Sequence, residues 1–283
     1  MMLLDLIGSA VDAVLDDCQG KRVGIVLSGG LDSSTIAAVT DTIRPGLPLF
    51  TGWYDKDGFD ERRWSRMVGE GLHHEILISP QDFVDNFDAM QESIRPPIMG
   101  MGTFGQFMVA KYASDFVDVL LSGEGSDELF GGYARQMIVA GEASPKGYEH
   151  YVLPADYPTT IEDALEYDLA ALPDLLAVDD QMTGAWGLEA RAPFTDQSIV
   201  DYALALPVSQ RIGKRHLRKA VRGIVPDAII DRKAKMGFPC PLASWAQEEP
   251  VRSFIMGRIG YLPDPTTPWD RTWWYEIVNK GWL

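Results

Sequence analysis

The stretch Val23-Gly24-Ile25-Val26-Leu27-Ser28-Gly29-Gly30-Leu31-Asp32-Ser33-Ser34 decides the fold. Val23 to Leu27 read as a short buried strand. Ser28-Gly29-Gly30 breaks it, and Asp32, Ser33 and Ser34 are good helix-start residues ahead of the apolar run Thr35 to Val39. Glycines let backbone come close to a ligand, and the free N–H groups of a helix start favour an anion. The local physics therefore points to phosphate. The Walker pattern, in which Gly-Lys-Ser/Thr closes the loop, does not occur. Asp32 enters the helix instead. A carboxylate beside a phosphate is repulsive unless a cation lies between them, so Asp32 implies Mg²⁺, which takes carboxylate, phosphate oxygen and water. The plainer reading is an ordinary βα turn with a capping Asp.

Outward from this stretch, Leu47 to Trp53 reads as a second strand, Asp60 to Gly71 as a helix and Glu75 to Ile78 as a third strand. Strand alternating with helix predicts a parallel doubly wound sheet, with ligands at the carboxyl ends of its strands where their order reverses. His73-His74 lacks partner spacing for a metal and reads as structural or solvent-facing. Residues 1 to 17 show helical spacing of Leu3, Leu6, Ile7, Ala10, Val11, Val14 and Leu15. They carry Asp5 and Asp12 and no basic start, unlike a signal peptide. No apolar run approaches the ~18 residues of a membrane span.

A second stretch repeats the pattern. Val117 to Leu121 is an apolar strand running into Ser122-Gly123. Glu124, Gly125, Ser126, Asp127 and Glu128 follow, and Gly131-Gly132 closes a short helix. Carboxylates this close raise one another's pKa unless cations intervene. The alternative is a solvated acidic loop, but the strand delivers these carboxylates to the sheet edge that holds Asp32.

Ser28 to Ser33 resembles the SGGxDS loop of the ATP pyrophosphatase (PP-loop) superfamily. Ser122 to Tyr133, SGEGSDELFGGY, resembles the second signature of the asparagine synthetase family's synthetase domain, a family that includes β-lactam synthetase. Gly187 to Asp196 is similar to its GLExRxPFxD segment, Arg232 to Leu242 to its RxKxGFxxPL segment, and His73-His74-Glu75 has a counterpart there too. The matches run from about residue 20 to about residue 245, in the family's order. The resemblance implies an α/β fold: a doubly wound parallel sheet of the PP-loop adenine-nucleotide-binding type with a helical C-terminal lobe. The expected division is an N-terminal helix to about residue 19, a nucleotide-binding core over 20–135 and a lobe and tail over 136–283, all one synthetase-like domain.

The resemblance also assigns residues. Ser28, Gly29, Gly30, Asp32 and Ser33 would cradle pyrophosphate, and backbone at Leu27 and Gly123 would face adenine. Asp32 and Asp127 would hold Mg²⁺. Glu124 would take a proton from the incoming nitrogen, and Lys235 would steady the α-phosphate as pyrophosphate leaves. Gly125, Ser126, Glu128 and Arg191 would bind the acceptor. The implied activity is an ATP-dependent, AMP-forming amide synthetase, a ligase making a carbon–nitrogen bond, with ATP as co-substrate. Its expected partners are a small carboxylate, aspartate in the leading case, and ammonia or an amine. The rival within the class is amide formation on another carboxylate; a non-catalytic nucleotide-binding module is the rival outside it.

The chain reaches Ser28 directly from Met1-Met2-Leu3, so the glutaminase domain of glutamine-using relatives is expected to be absent, with a separate glutaminase subunit as one source of nitrogen. Two departures bear on the acceptor: Arg95-Pro96-Pro97, where the family shows an acidic residue before proline, and Asp180-Gln181-Met182-Thr183, where it shows Asp-Arg-Met-Ser.

The composition frames these readings. The 283 residues are 46% hydrophobic, enough for a substantial core. A net charge of −16 opposes nucleic acid and anionic lipid in general. Cys18 and Cys240 form no disulfide framework or zinc pattern and fit a reducing cytoplasm. The basic run Arg211, Lys214, Arg215, His216, Arg218, Lys219 and Arg222 lies on an expected helix, Lys214 to Ile224. It reads as a solvated face or as a local attraction for ATP. Ala134 to Pro158 reads as a loop, and helical patterns dominate from Thr159 to about Val225. The tail tryptophans Trp269, Trp273, Trp274 and Trp282 read as core or contact residues, a subunit contact being open.

Overall fold

Five strands, β1 Val23–Val26, β2 Leu49–Trp53, β3 His73–Leu77, β4 Val119–Leu121 and β5 Glu189–Arg191, form one sheet in the order β3-β2-β1-β4-β5. Every pairing is parallel, with Val26 opposite Phe50, Ile25 opposite Leu121 and Leu121 opposite Arg191. The computed structural model describes residues 2–69, 71–95, 100, 102–142, 156–232, 238–262 and 272–279. Strand order reverses between β1 and β4, the two strands that carry the glycine turns. That reversal opens a crevice at their carboxyl ends.

In chain order the helices are α1 Leu3–Asp17, α2 Leu31–Ile43, α3 Arg62–Ser65, α4 Pro80–Ser93, α5 Thr103–Ala113, α6 Ser126–Phe130, α7 Ala134–Val139, α8 Ile161–Ala170, α9 Leu172–Gly184, α10 Gln197–Ala205, α11 Val208–Arg211, α12 Arg215–Ala220, α13 Asp227–Ile230, α14 Leu242–Trp245, α15 Val251–Ile259 and α16 Thr272–Asn279. They cover both faces of the sheet, as a parallel sheet requires. On one face Val23, Ile25, Leu27, Val119 and Leu121 pack with α1, α2, α10 and α12. On the other, Phe50, Ile76 and Leu120 pack with α4, α5, α9, α15 and α16. Phe83, Phe87, Phe104 and Trp274 are fully buried there. Each contributes about 2–3 kcal/mol through burial. Trp274 is thus a core residue, while Trp269 and Trp282 lie outside the described residues. No described helix is long and apolar enough to cross a membrane. Both cysteines are free and buried.

The structure differs from the sequence expectation in five places. The helix expected over Asp60 to Gly71 is a single turn, α3: Gly69 takes φ +76°, Arg62 is held by Asp60, and Arg66 pairs with Glu75 of β3. β3 starts two residues earlier than expected, at His73, so His74 stacks on Phe50 with ring centroids 4.8 Å apart. Ala134, expected to open a loop, opens α7; residues 143–155 lie outside the described residues. The helix expected from Lys214 starts at Arg215 and ends at Ala220, because Lys214 itself is left-handed. β5 comes from the stretch read as helical, and completes the sheet beside β4.

Candidate active site

The turn after β1 is braced by its own side chains. Ser28 and Ser33 share a hydrogen bond between hydroxyls at 3.0 Å, Ser28 N–H donates to Ser33 Oγ at 3.2 Å, and Gly30 N–H donates to Ser28 Oγ at 3.3 Å. Gly29 takes φ +76°, and a Cβ there would stand 2.7 Å from Ser65 N and Trp64 Cβ. Both facts require glycine. Leu27 donates its N–H to Phe50 O at 2.9 Å, and its carbonyl accepts from Thr51 Oγ1 at 2.7 Å.

The turn after β4 lies directly against this one. A Cβ on Gly123 would meet Ser33 N at 2.7 Å and the carbonyl carbon of Asp32 at 2.8 Å. Gly125 at φ +90° redirects the chain into α6, and Ser126 Oγ donates to Asp32 Oδ1 at 2.7 Å. Asp32 and Asp127 meet at one cation, Lys214, whose Nζ is 2.5 Å from Oδ1 of each. Lys214 is 3% exposed. It takes φ +58° and ψ +28°, strain of about 1–2 kcal/mol for a side-chain-bearing residue. Gly132 makes room for it, since a Cβ there would collide with Asp127 Oδ1 and Lys214 Cε.

The loop that presents Lys214 is clamped. Gly213 N–H donates to Gly131 O at 2.8 Å, Arg211 Nε to Leu129 O at 2.8 Å, and Arg218 Nε to Gly213 O at 3.0 Å. Burial pushes the guanidinium pKa of both arginines down. The basic run is therefore divided. Arg211, Lys214 and Arg218 face inward; Arg215 pairs with Glu142, and Arg222 with Asp227 and Asp231, at the surface.

Glu124 is half-buried, and its N–H reaches Ser122 Oγ at 3.5 Å. The Ser122 hydroxyl also bonds to Asp179 of α9, whose carboxyl is pushed up to about 6, chiefly by burial and further by neighbouring Asp180. Glu128 is 1% exposed; burial raises its pKa, and the Tyr133 hydroxyl donates to it. Arg191 stands apart from this cluster, its guanidinium pairing with Asp17 at 2.8 Å and with Glu189. Lys235 lies outside the described residues. Its chain neighbours border a cleft beside Ser28 that Gly52, Tyr54, Phe59, Glu61 and Phe238 line. Arg232 pairs with Glu61, and Phe238 packs on Tyr54 with centroids 5.3 Å apart.

Lys214 and Asp179 are the site residues that sequence reasoning missed. One signal for Lys214 existed: Gly213, with no Cβ to obstruct the turn, immediately before it. Asp179 had none beyond a carboxylate inside an apolar helix.

The set of donors suits a divalent ion that is completed by its substrate. Two carboxylate oxygens converge on one cation position, and among the described residues no group of three or more metal-ligating side chains forms a full cage. Mg²⁺ is commonly held in this way, by one or two carboxylates plus phosphate and water.

The all-parallel sheet, reversing between two strands that carry contacting anion-type turns, defines an α/β chain of the PP-loop type. The sequence model of the family described as asparagine synthase matches residues 2–149 and 155–267. The chain belongs to that family. It is 27% identical to "Asparagine synthetase [glutamine-hydrolyzing] 1" of Bacillus subtilis (strain 168), over 80% of this chain and 48% of that protein. It is 29% identical to "Asparagine synthetase [glutamine-hydrolyzing]" of Triphysaria versicolor, over 89% of this chain and 46% of that one. Against the protein of the same name from Gallus gallus the identity is 30%, over 70% and 35% respectively. The chain spans about half the length, or less, of these curated relatives.

Proposed function

We propose that the chain is an ATP-dependent, AMP-forming amide synthetase. The observation that carries this reading is the convergence of Asp32 and Asp127 on one cation position at the strand-order reversal. The braced Ser28–Ser33 turn would present its hydroxyls to pyrophosphate. Asp32 and Asp127 would hold Mg²⁺, which when bound supplies charge neutralisation on the pyrophosphate.

In the first step an oxygen of the acceptor carboxylate attacks the α-phosphorus, the bond to the bridging oxygen breaks, and pyrophosphate leaves. The chain's part is positioning and charge: the two turns fix the triphosphate, and Lys235 steadies the α-phosphate oxygens. In the second step a nitrogen attacks the acyl carbon, the bond to AMP oxygen breaks, and AMP leaves with that electron pair. Glu124 takes the proton the nitrogen sheds. Gly125, Ser126 and Glu128 would act on the acceptor from behind, Ser126 by holding Asp32 and Glu128 by holding Tyr133. Aspartate is the leading acceptor, because the relatives carry the name asparagine synthetase, with ammonia or a separate glutaminase as the nitrogen source.

A second reading, amide formation on a different carboxylate, is favoured by two placements. Arg191 is engaged with Asp17 and Glu189, and Gln181 accepts the Arg95 N–H at 2.5 Å. Neither brings a cation to an acceptor's second carboxylate. The test incubates the protein with ATP, Mg²⁺, ammonium and a panel of carboxylic acids, following AMP and pyrophosphate. AMP with aspartate supports the leading reading, and AMP only with another acid supports the second. ADP formation, or nucleotide binding without turnover on any acid, refutes both.

A further inference from the structure

The helix α6, which carries Asp127 and Glu128, is 5 residues long. Isolated helices of fewer than about 12–15 residues are marginal in water, so its setting comes from what grips it. Arg211 Nε holds Leu129 O near its end at 2.8 Å. The Tyr133 hydroxyl holds the buried Glu128 carboxyl. Tyr133 is itself held from behind. The Arg135 guanidinium lies over its ring, 4.1 Å from the centroid. Asp168 of α8 fixes that guanidinium in turn, Oδ1 accepting from Nε at 2.8 Å and from Nη2 at 2.7 Å. The Tyr157 hydroxyl donates to the other oxygen, Oδ2, at 2.6 Å. Asp168 is 1% exposed.

A buried ion pair adds little net stability, because desolvation offsets the attraction, and apolar residues of similar shape often serve as well. What this pair fixes is direction. With Arg135 on one oxygen of Asp168 and Tyr157 on the other, the guanidinium cannot swing off Tyr133 without breaking charge-assisted bonds. A cation over the face of the ring is attracted to it as well. The line from Asp168 through Arg135 and Tyr133 to Glu128 therefore joins the helical lobe to α6. Its pull falls on α6 rather than on the Ser28–Ser33 turn, which its own hydroxyls brace.

We propose that Asp168 is a positioning residue for amide formation, acting through Arg135 and Tyr133 to set Glu128 and α6 on the acceptor side of the site. The inference rests on the amide-forming reading above and adds to it a residue of the lobe, too buried to touch a substrate.

Two variants of the full chain test it. Asp168→Asn keeps an oxygen for Tyr157 and loses the charge facing Arg135. Arg135→Lys keeps the charge and loses the planar group over Tyr133. AMP release is measured with ATP, Mg²⁺, ammonium and aspartate, or the acid of the panel that wild type uses. Each variant is expected to lower kcat/KM for the acid by about tenfold, with KM for ATP near wild type, since a misplacement of 1 Å costs up to about 10²-fold. In a Tyr133→Phe background Asp168→Asn is expected to add no further loss, because both act on one line. A merely structural residue would lower the melting temperature and leave these ratios alone. Losses that multiply independently overturn the proposal, as does an unchanged kcat/KM in both single variants. Amide hydrogen exchange gives a readout that needs no turnover. Exchange over residues 126–130 should quicken, relative to residues 23–26 of β1, in both variants. Exchange that keeps its wild-type ratio overturns the proposal. Wild type that releases no AMP with any acid overturns the amide-forming reading, and exchange then decides whether Asp168 sets α6.

Discussion

Gly123→Ala tests the contact on which the site depends. Gly123 is not at positive φ, so the substitution adds no backbone strain of its own. It adds one methyl, whose Cβ would stand 2.7 Å from Ser33 N, 2.8 Å from the Asp32 carbonyl carbon and 2.9 Å from Asp32 Cβ. These are main-chain neighbours at the start of α2, not the free end of a flexible side chain. To reach ordinary contact the turns must part by roughly half an ångström or more, and overpacking of this kind costs about 1–3 kcal/mol. At about 2 °C per kcal/mol for a chain of this length, the melting temperature should fall by about 2–6 °C. Activity should fall further, because a shift approaching 1 Å between the groups that hold a substrate costs up to about 10²-fold in rate. Differential scanning calorimetry gives the first number. Calorimetric titration with a non-hydrolysable ATP analogue and the AMP-release rate give the second. A variant with wild-type melting temperature, nucleotide affinity and rate would show that the two turns do not meet as described.

Other substitutions probe neighbouring features. Tyr133→Phe removes the donor to the buried Glu128 carboxyl and should destabilise the chain by about 1–3 kcal/mol in urea denaturation, with the loss partly restored in Tyr133→Phe/Glu128→Leu. Asp179 holds its proton up to about pH 6 in the folded chain, whereas an unfolded aspartate releases it near ~3.9. Between these values the unfolded state binds fewer protons, so stability falls as pH rises through the window. Asp179→Asn should abolish that part of the slope and be more stable than wild type at pH 7.5 relative to pH 4, by on the order of 1–3 kcal/mol; denaturation profiles that stay parallel would contradict it. Lys235→Ala should keep nucleotide binding while AMP release drops by about 10²–10³-fold, read in single-turnover assays.

What could be read from the sequence and what could not divides along physical lines. A glycine needed for close backbone approach leaves its mark in the chain, so the turns at Gly29, Gly30 and Gly123 and the carboxylates beside them were legible. So was the parallel sheet, because Val23 to Leu27 and Leu47 to Phe50 are apolar runs that only a sheet covered on both faces can bury. Lys214 was not legible. Its reach comes from Gly131, Leu129 and Arg218 holding its loop, and in the sequence it is one of six Lys and Arg residues in a basic run. β5 was missed because Glu189-Ala190-Arg191 has no apolar run; it is a strand through its pairing with β4. The short α3 shows local and tertiary contacts overriding helical spacing, with Arg62 held by Asp60 and Arg66 paired with Glu75.

The late arrival of β5 has a consequence for the life of the chain. β4, whose end carries Asp127, is flanked on one side by β1 and on the other by a segment made almost seventy residues afterwards. A ribosome that has released only the first half has therefore produced a sheet whose open border is β4, the strand that leads to Asp127. Lys214, which pairs with Asp32 and Asp127, emerges later still. Cutting the polypeptide between the two halves would separate β4 from its border strand and Asp32 and Asp127 from Lys214.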